Sequence, residues 1–121
     1  MQNFKSLKVW EYSHGLTLQI YKHTKAFPKD ETYALTSQIR IFATTFGNIG
    51  RNRCCCSSNL DFARYLQISL GSANEVEYFL LLSKDLNYLS EEHYLNLNES
   101  INKIKAMLIN LIQQVRIKDK T

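Results

Sequence analysis

At 121 residues, with 45% hydrophobic and 21% charged side chains, the chain is long enough for one hydrophobic core and too short for two. One proline and four glycines exclude the turn-rich plan of an all-β protein, and no apolar run approaches the roughly 20 residues that span a bilayer. The net charge of +4 is unevenly spread, with nine Lys/Arg against four Asp/Glu in residues 1–64 and six against seven in residues 65–121.

Helix 1 is expected over residues 7–25. Val9, Trp10, Leu16, Ile20 and Tyr21 follow helical steps, and Lys5, Lys8, Glu11, Lys22 and Lys25 fall off that face. Phe27-Pro28 ends it, because proline disfavours α geometry in the preceding residue. Asp30 and Glu31 then read as the acidic first turn of helix 2, over 30–50, whose Leu35, Ile39, Phe42, Phe46 and Ile49 repeat in a 4-3-4-3 spacing.

The stretch from Gly50 to Ser58 has no apolar period and reads as a connection. Ser58 with Asp61 forms a capping pair for helix 3, over 59–87. Phe62, Leu66, Ser69, Ala73, Val76, Leu80 and Ser83 make one stripe on it, and Tyr65, Ile68, Ser72, Phe79 and Leu86 a second. A surface this wide predicts contact with more than one neighbour, in the same chain or in another subunit. Helix 4 is expected over 91–116, with Leu97, Ile101, Ile104, Leu108, Leu111 and Val115 inward and a polar, fraying tail. Four amphipathic helices with mostly short connections predict an all-α, antiparallel up-down-up-down four-helix bundle in one domain, residues 1–121.

No constellation predicts catalysis. Cys54-Cys55-Cys56 cannot converge on one zinc ion without strain, and no fourth cysteine exists. Glu11-x-x-His14 matches one element of a di-metal bundle, but neither His23 nor His93 has the second glutamate three residues before it. Nucleophile elbows and phosphate-cradling Gly-Lys loops are absent. The expectation is no enzyme, no metal and no cofactor.

The Ser69-x-Gly71-Ser72-Ala73 run inside helix 3 does carry a signal. A mid-helix glycine costs about 1 kcal/mol against alanine, which predicts a compensating close approach by another helix. Glu75 flanks the same notch one turn on. Ser69, Gly71, Ser72, Ala73 and Glu75 are therefore expected to meet another helix, in the same bundle or at a subunit interface, with Glu75 either paired to Arg40 or turned to solvent. The basic residues Lys5, Lys8, Lys22, Lys25, Arg40, Arg51, Arg53 and Arg64 are the expected nucleic-acid contacts; the alternative is an ordinary solvated surface. With no recognition helix in view, such contacts would be backbone-driven and salt-sensitive. Tyr12, Tyr21 and Tyr33 read as stacking residues or as half-buried packing.

Phe4-x-x-Leu7-x-Val9-Trp10, the Tyr21/Phe27-Pro28/Glu31 spacing, Gln38, Gly71-Ser72-x-x-Glu75 and Asn87-Tyr88-Leu89 together resemble the four-helix-bundle family encoded within intervening sequences of bacterial 23S rRNA genes. The resemblance covers Phe4 to about Leu111. It implies a ring-like homopentamer, and it implies kinship with accessory proteins of diversity-generating retroelements, which bind a reverse transcriptase and its nucleic acid. The chain departs from the family after Gln38, where Ile41 follows Arg40 in place of a second arginine. It departs again at residues 45–53, which lack the family's glutamate. The combined expectation is a cytoplasmic, oligomeric protein that binds an RNA or DNA backbone, or a ribonucleoprotein. The alternative is a protein-interaction scaffold, for example for a reverse transcriptase, that never touches nucleic acid; no membrane association is expected.

Overall fold

The computed structural model describes residues 8–47 and 58–120, which form four α-helices and a short 3-10 turn, with no strand. Helix α1 spans Lys8–Thr24 and buries Val9, Ser13, Leu16, Thr17, Ile20 and Thr24. Its end is sealed by Phe27, whose N–H reaches the Thr24 carbonyl at 3.1 Å and whose ring is buried against Tyr88, centroids 5.3 Å apart.

The start expected for helix 2 is corrected here. Lys29–Glu31 is a 3-10 turn, and α2, described over Leu35–Gly47, begins only at Leu35. After Pro28 the chain makes tight three-residue bonds: Glu31 to Pro28 (3.0 Å), Thr32 to Lys29 (3.1 Å) and Ala34 to Glu31 (3.0 Å). The α-helical ladder begins with the Gln38 N–H on the Ala34 carbonyl, 2.9 Å away. The acids that looked like a helix start belong to this turn, and the Glu31 carboxylate acts on Tyr88, adding to desolvation in raising its pKa.

Helix α3 spans Asn59–Asp85. Ser58 caps it as expected, its hydroxyl accepting the Asp61 N–H at 3.2 Å. All seven residues of the first expected stripe are buried. The helix closes with Asn87 at φ 64°, the Tyr88 N–H on the Ser83 carbonyl (2.8 Å) and the Asn87 N–H on the Lys84 carbonyl (2.9 Å). This is a left-handed C-terminal stop that asparagine tolerates. Helix α4 spans Glu91–Lys120, four residues beyond the end expected at Arg116. Ser90 caps it by accepting the His93 N–H at 3.1 Å. Its core positions are Leu97, Ile101, Ile104, Leu108, Ile112 and Val115, with Leu111 only half-buried. A straight helix of 3.6 residues per turn drifts off a strict heptad, so the seam passes from Leu111 to Ile112.

Each helix packs on its neighbours in the order α1, α2, α3, α4 and back to α1, the most extensive contact being α3 with α4. That order is the antiparallel up-down-up-down bundle. The interior holds one continuous apolar cluster to which all four helices contribute. Across α1 and α2, Ala43 is fully buried and the Thr17 hydroxyl reaches its carbonyl at 3.2 Å as well as that of Ser13 at 2.8 Å. Across α3 and α4, Lys105 Nζ meets Glu77 Oε1 at 2.9 Å.

Candidate nucleic-acid interface

Arg40 is the basic residue the fold positions most firmly. It lies two residues before Phe42, about 200° around α2, so when Phe42 packs on Phe79 of α3 (centroids 5.9 Å), Arg40 must face α1. There its Nε donates to the Thr24 hydroxyl at 2.9 Å, and Nη2 lies 3.5 Å from the Tyr21 carbonyl. The guanidinium covers the Tyr21 ring, 4.6 Å from its centroid. This corrects the Arg40–Glu75 pairing: the two residues are not ion-paired, and Glu75 is exposed. Lys25 lies in the turn that follows α1, four residues after Tyr21, and Lys22 adjoins Tyr21; all three are exposed.

The other expected contacts are scattered. Lys8, exposed, lies about 21 Å of helix away from Lys22 and borders α4 beside Met107 and Leu111. Arg64 starts α3, where Nη2 is 3.9 Å from Asp61 Oδ1 and the guanidinium lies 5.6 Å from the Tyr65 ring centroid. Lys5, Arg51, Arg53 and Cys54 to Cys56 lie outside the described residues. Among the described residues, all three ion pairs lie on α3 and α4, and Lys8, Lys22, Lys25 and Arg40 have none.

The tyrosines divide likewise. Tyr12 carries Lys103 over its ring at 4.5 Å, Tyr21 carries Arg40, and Tyr33 is 96% exposed with nothing against it. Tyr33 stands at the mouth of an open depression of about 330 Å³ between α1 and the start of α2, lined also by Tyr21, Thr36, Ser37, Arg40 and Thr44. The hydroxyl residues of this depression escaped notice in the sequence because a helix beginning at Asp30 makes Thr36 and Ser37 interior. The absence of a capping side chain at Ala34 was the available signal.

The small-residue notch is also redistributed. Ser69, Ser72 and Ala73 are buried in the chain's own core, which removes them from an outward-facing interface. Gly71 and Glu75 are exposed, and a side chain at Gly71 would meet nothing within 4 Å, so the expected close approach does not occur within the chain.

At the far end of α1, His23 and His93 lie with ring centroids 4.5 Å apart. Burial, then the neighbouring His93 and Lys22, push the His23 pKa below its ordinary value. Desolvation, then the Glu31 carboxylate, and Asp30, raise that of Tyr88. His14 stacks on Trp10 at 5.0 Å. Among the described residues no three His, Cys, Asp or Glu side chains are placed to hold a metal ion, and no helix is long and apolar enough to cross a membrane.

A model of the family described as 23S rRNA-intervening sequence protein matches residues 5–110. The chain belongs to that family. A crystal structure of a protein of unknown function from the S23 ribosomal protein family of Bacteroides thetaiotaomicron is similar over 87% of this chain and 95% of its own, with 27% identity and a TM-score of 0.78. No protein of curated function matches significantly. Family membership agrees with the four helices and their order, and it leaves the chemistry of the α1–α2 face to be argued from its own residues.

Proposed function

We propose that this family member is a non-enzymatic, oligomeric nucleic-acid-associated protein that meets RNA, or a ribonucleoprotein, through the basic side formed by α1 and α2. The observation that carries the reading is the distribution of charge pairing. Lys22, Lys25 and Arg40, close together where the end of α1 meets the start of α2, have no carboxylate partner among the described residues, whereas the ion pairs found there lie on α3 and α4, beside the equally unpaired Lys103 and Arg116. Unpaired cations on one side release counterions when they neutralise phosphates, so binding follows the backbone and weakens steeply with salt. The homopentamer implied by the family resemblance would multiply such a face around a ring and raise avidity.

The test is the mass of the purified protein with and without a short structured RNA, at low and moderate salt. The reading expects a multimer near five chains that takes up RNA and releases it as salt rises. Lys22→Glu with Lys25→Glu should weaken uptake of every RNA to a similar degree. A monomer that ignores RNA at both salts would remove it. The second reading, a scaffold for a protein partner such as a reverse transcriptase, draws on the outer side of α3 and its C-terminal end, where Ile68 and Leu86 are 51% and 43% exposed. It expects a multimer indifferent to RNA.

A further inference from the structure

Helix α2 begins without a cap. Ala34 occupies the position where Ser, Thr, Asp or Asn would accept an N–H from the first turn. Gln38 is the first residue of α2 whose N–H reaches a backbone carbonyl; among the described residues those of Leu35, Thr36 and Ser37 have none. Three free donors and the positive end of the helix dipole make a local demand for an acceptor.

A helix start alone is no site, since water can meet that demand. Here a second feature points the same way. Thr36 is only 7% exposed, its hydroxyl makes no hydrogen bond among the described residues, and it is not sealed in the core but lines the depression under Tyr33. Arg40 lies one turn beyond Thr36 on the same face, and helical side chains lean toward the N-terminus, which brings the guanidinium back over that turn. Of its five N–H donors, one is given to Thr24 and one is directed at the Tyr21 carbonyl, leaving three for an anion. No carboxylate among the described residues is ion-paired with Arg40. Oriented amides, a hydroxyl and a fixed guanidinium are the donor set a phosphate takes.

We infer that the start of α2 is a phosphate site for an unpaired nucleotide. The phosphate accepts from the Thr36 and Ser37 N–H groups, the Thr36 hydroxyl and Arg40, and the adjoining base stacks on Tyr33. The inference rests on the nucleic-acid reading above and narrows it from any polyanion to a single strand. A bare aromatic face serves any unstacked base, whereas in a duplex every base face but those at the ends is already covered.

The test is fluorescence anisotropy at low salt with a labelled uridine-only RNA of about ten nucleotides and with an RNA duplex of similar length. The wild-type chain should prefer the strand, and Tyr33→Ala should weaken the strand about tenfold while changing the duplex less than about twofold. Thr36→Val, which keeps shape and removes the hydroxyl, should weaken the strand several-fold. Tyr33 touches nothing, so loss of folding cannot mimic its effect, and circular dichroism checks Thr36→Val. Equal binding of strand and duplex, untouched by either substitution but lost on Lys22→Glu with Lys25→Glu, overturns the site and leaves the general reading standing. Binding of neither probe overturns both.

Discussion

Arg40 and Lys105 each sit half-buried at a seam between two helices, and the seams treat them differently. Lys105 meets the Glu77 carboxylate at 2.9 Å. Arg40 meets a hydroxyl, a backbone carbonyl and a tyrosine ring, all neutral. The first arrangement spends the charge inside the molecule. The second fixes the guanidinium in place and leaves its charge uncancelled, available to an outside anion. Positioning and neutralising a cation are separate tasks, and these two seams divide them.

Several substitutions would break or sharpen this contrast. The largest effect is expected in the frame itself: Leu80→Ala, at a fully buried α3 position, should lower stability by about 2–5 kcal/mol in urea unfolding. Tyr33→Ala on the other half should stay within about 0.5 kcal/mol. Comparable losses would mean that Tyr33 serves folding.

Next in size, Glu77→Gln should cost about 1 kcal/mol, because the pair is only partly shielded from water. Adding Lys105→Met should recover part of that loss, and a double-mutant cycle showing no coupling would end the distinction drawn between the two seams.

A smaller effect should appear with pH. Burial, His93 and Lys22 all disfavour a proton on His23, so the folded chain binds that proton more weakly than the unfolded one. The corresponding stability is whole above the ordinary value of 6.5 and is lost as pH falls through the folded-state value. Urea midpoints taken from about pH 7.5 down to about pH 5.5 should decline, and His23→Gln should flatten the decline. An unchanged slope would assign it to other groups.

The fold was legible wherever spacing and capping chemistry act locally. The first stripe of α3, the Ser58 cap and most of the α4 seam need only a helix period and a hydroxyl at a helix start. The start of α2 was not legible, because acids after a proline serve a 3-10 turn as well as an α-helix. In this chain Phe27 packs on Tyr88 and Glu31 acts on the same side chain, tertiary contacts that accompany the turn and that local spacing does not state. That one shift concealed the depression, since Thr36 becomes a first-turn residue only when the helix begins at Leu35. Arg40 was legible as a charge but not as a direction. Its orientation follows from which neighbour Phe42 chooses, and a sequence does not state that.

Gly71 has a practical consequence. It lies inside a 27-residue helix, yet a methyl group placed there would touch nothing within 4 Å. Gly71→Ala should therefore stiffen α3 without displacing any atom and raise the isolated chain's melting temperature by about 3–5 °C. The bundle thus holds unused thermal headroom, reachable by a single methyl group.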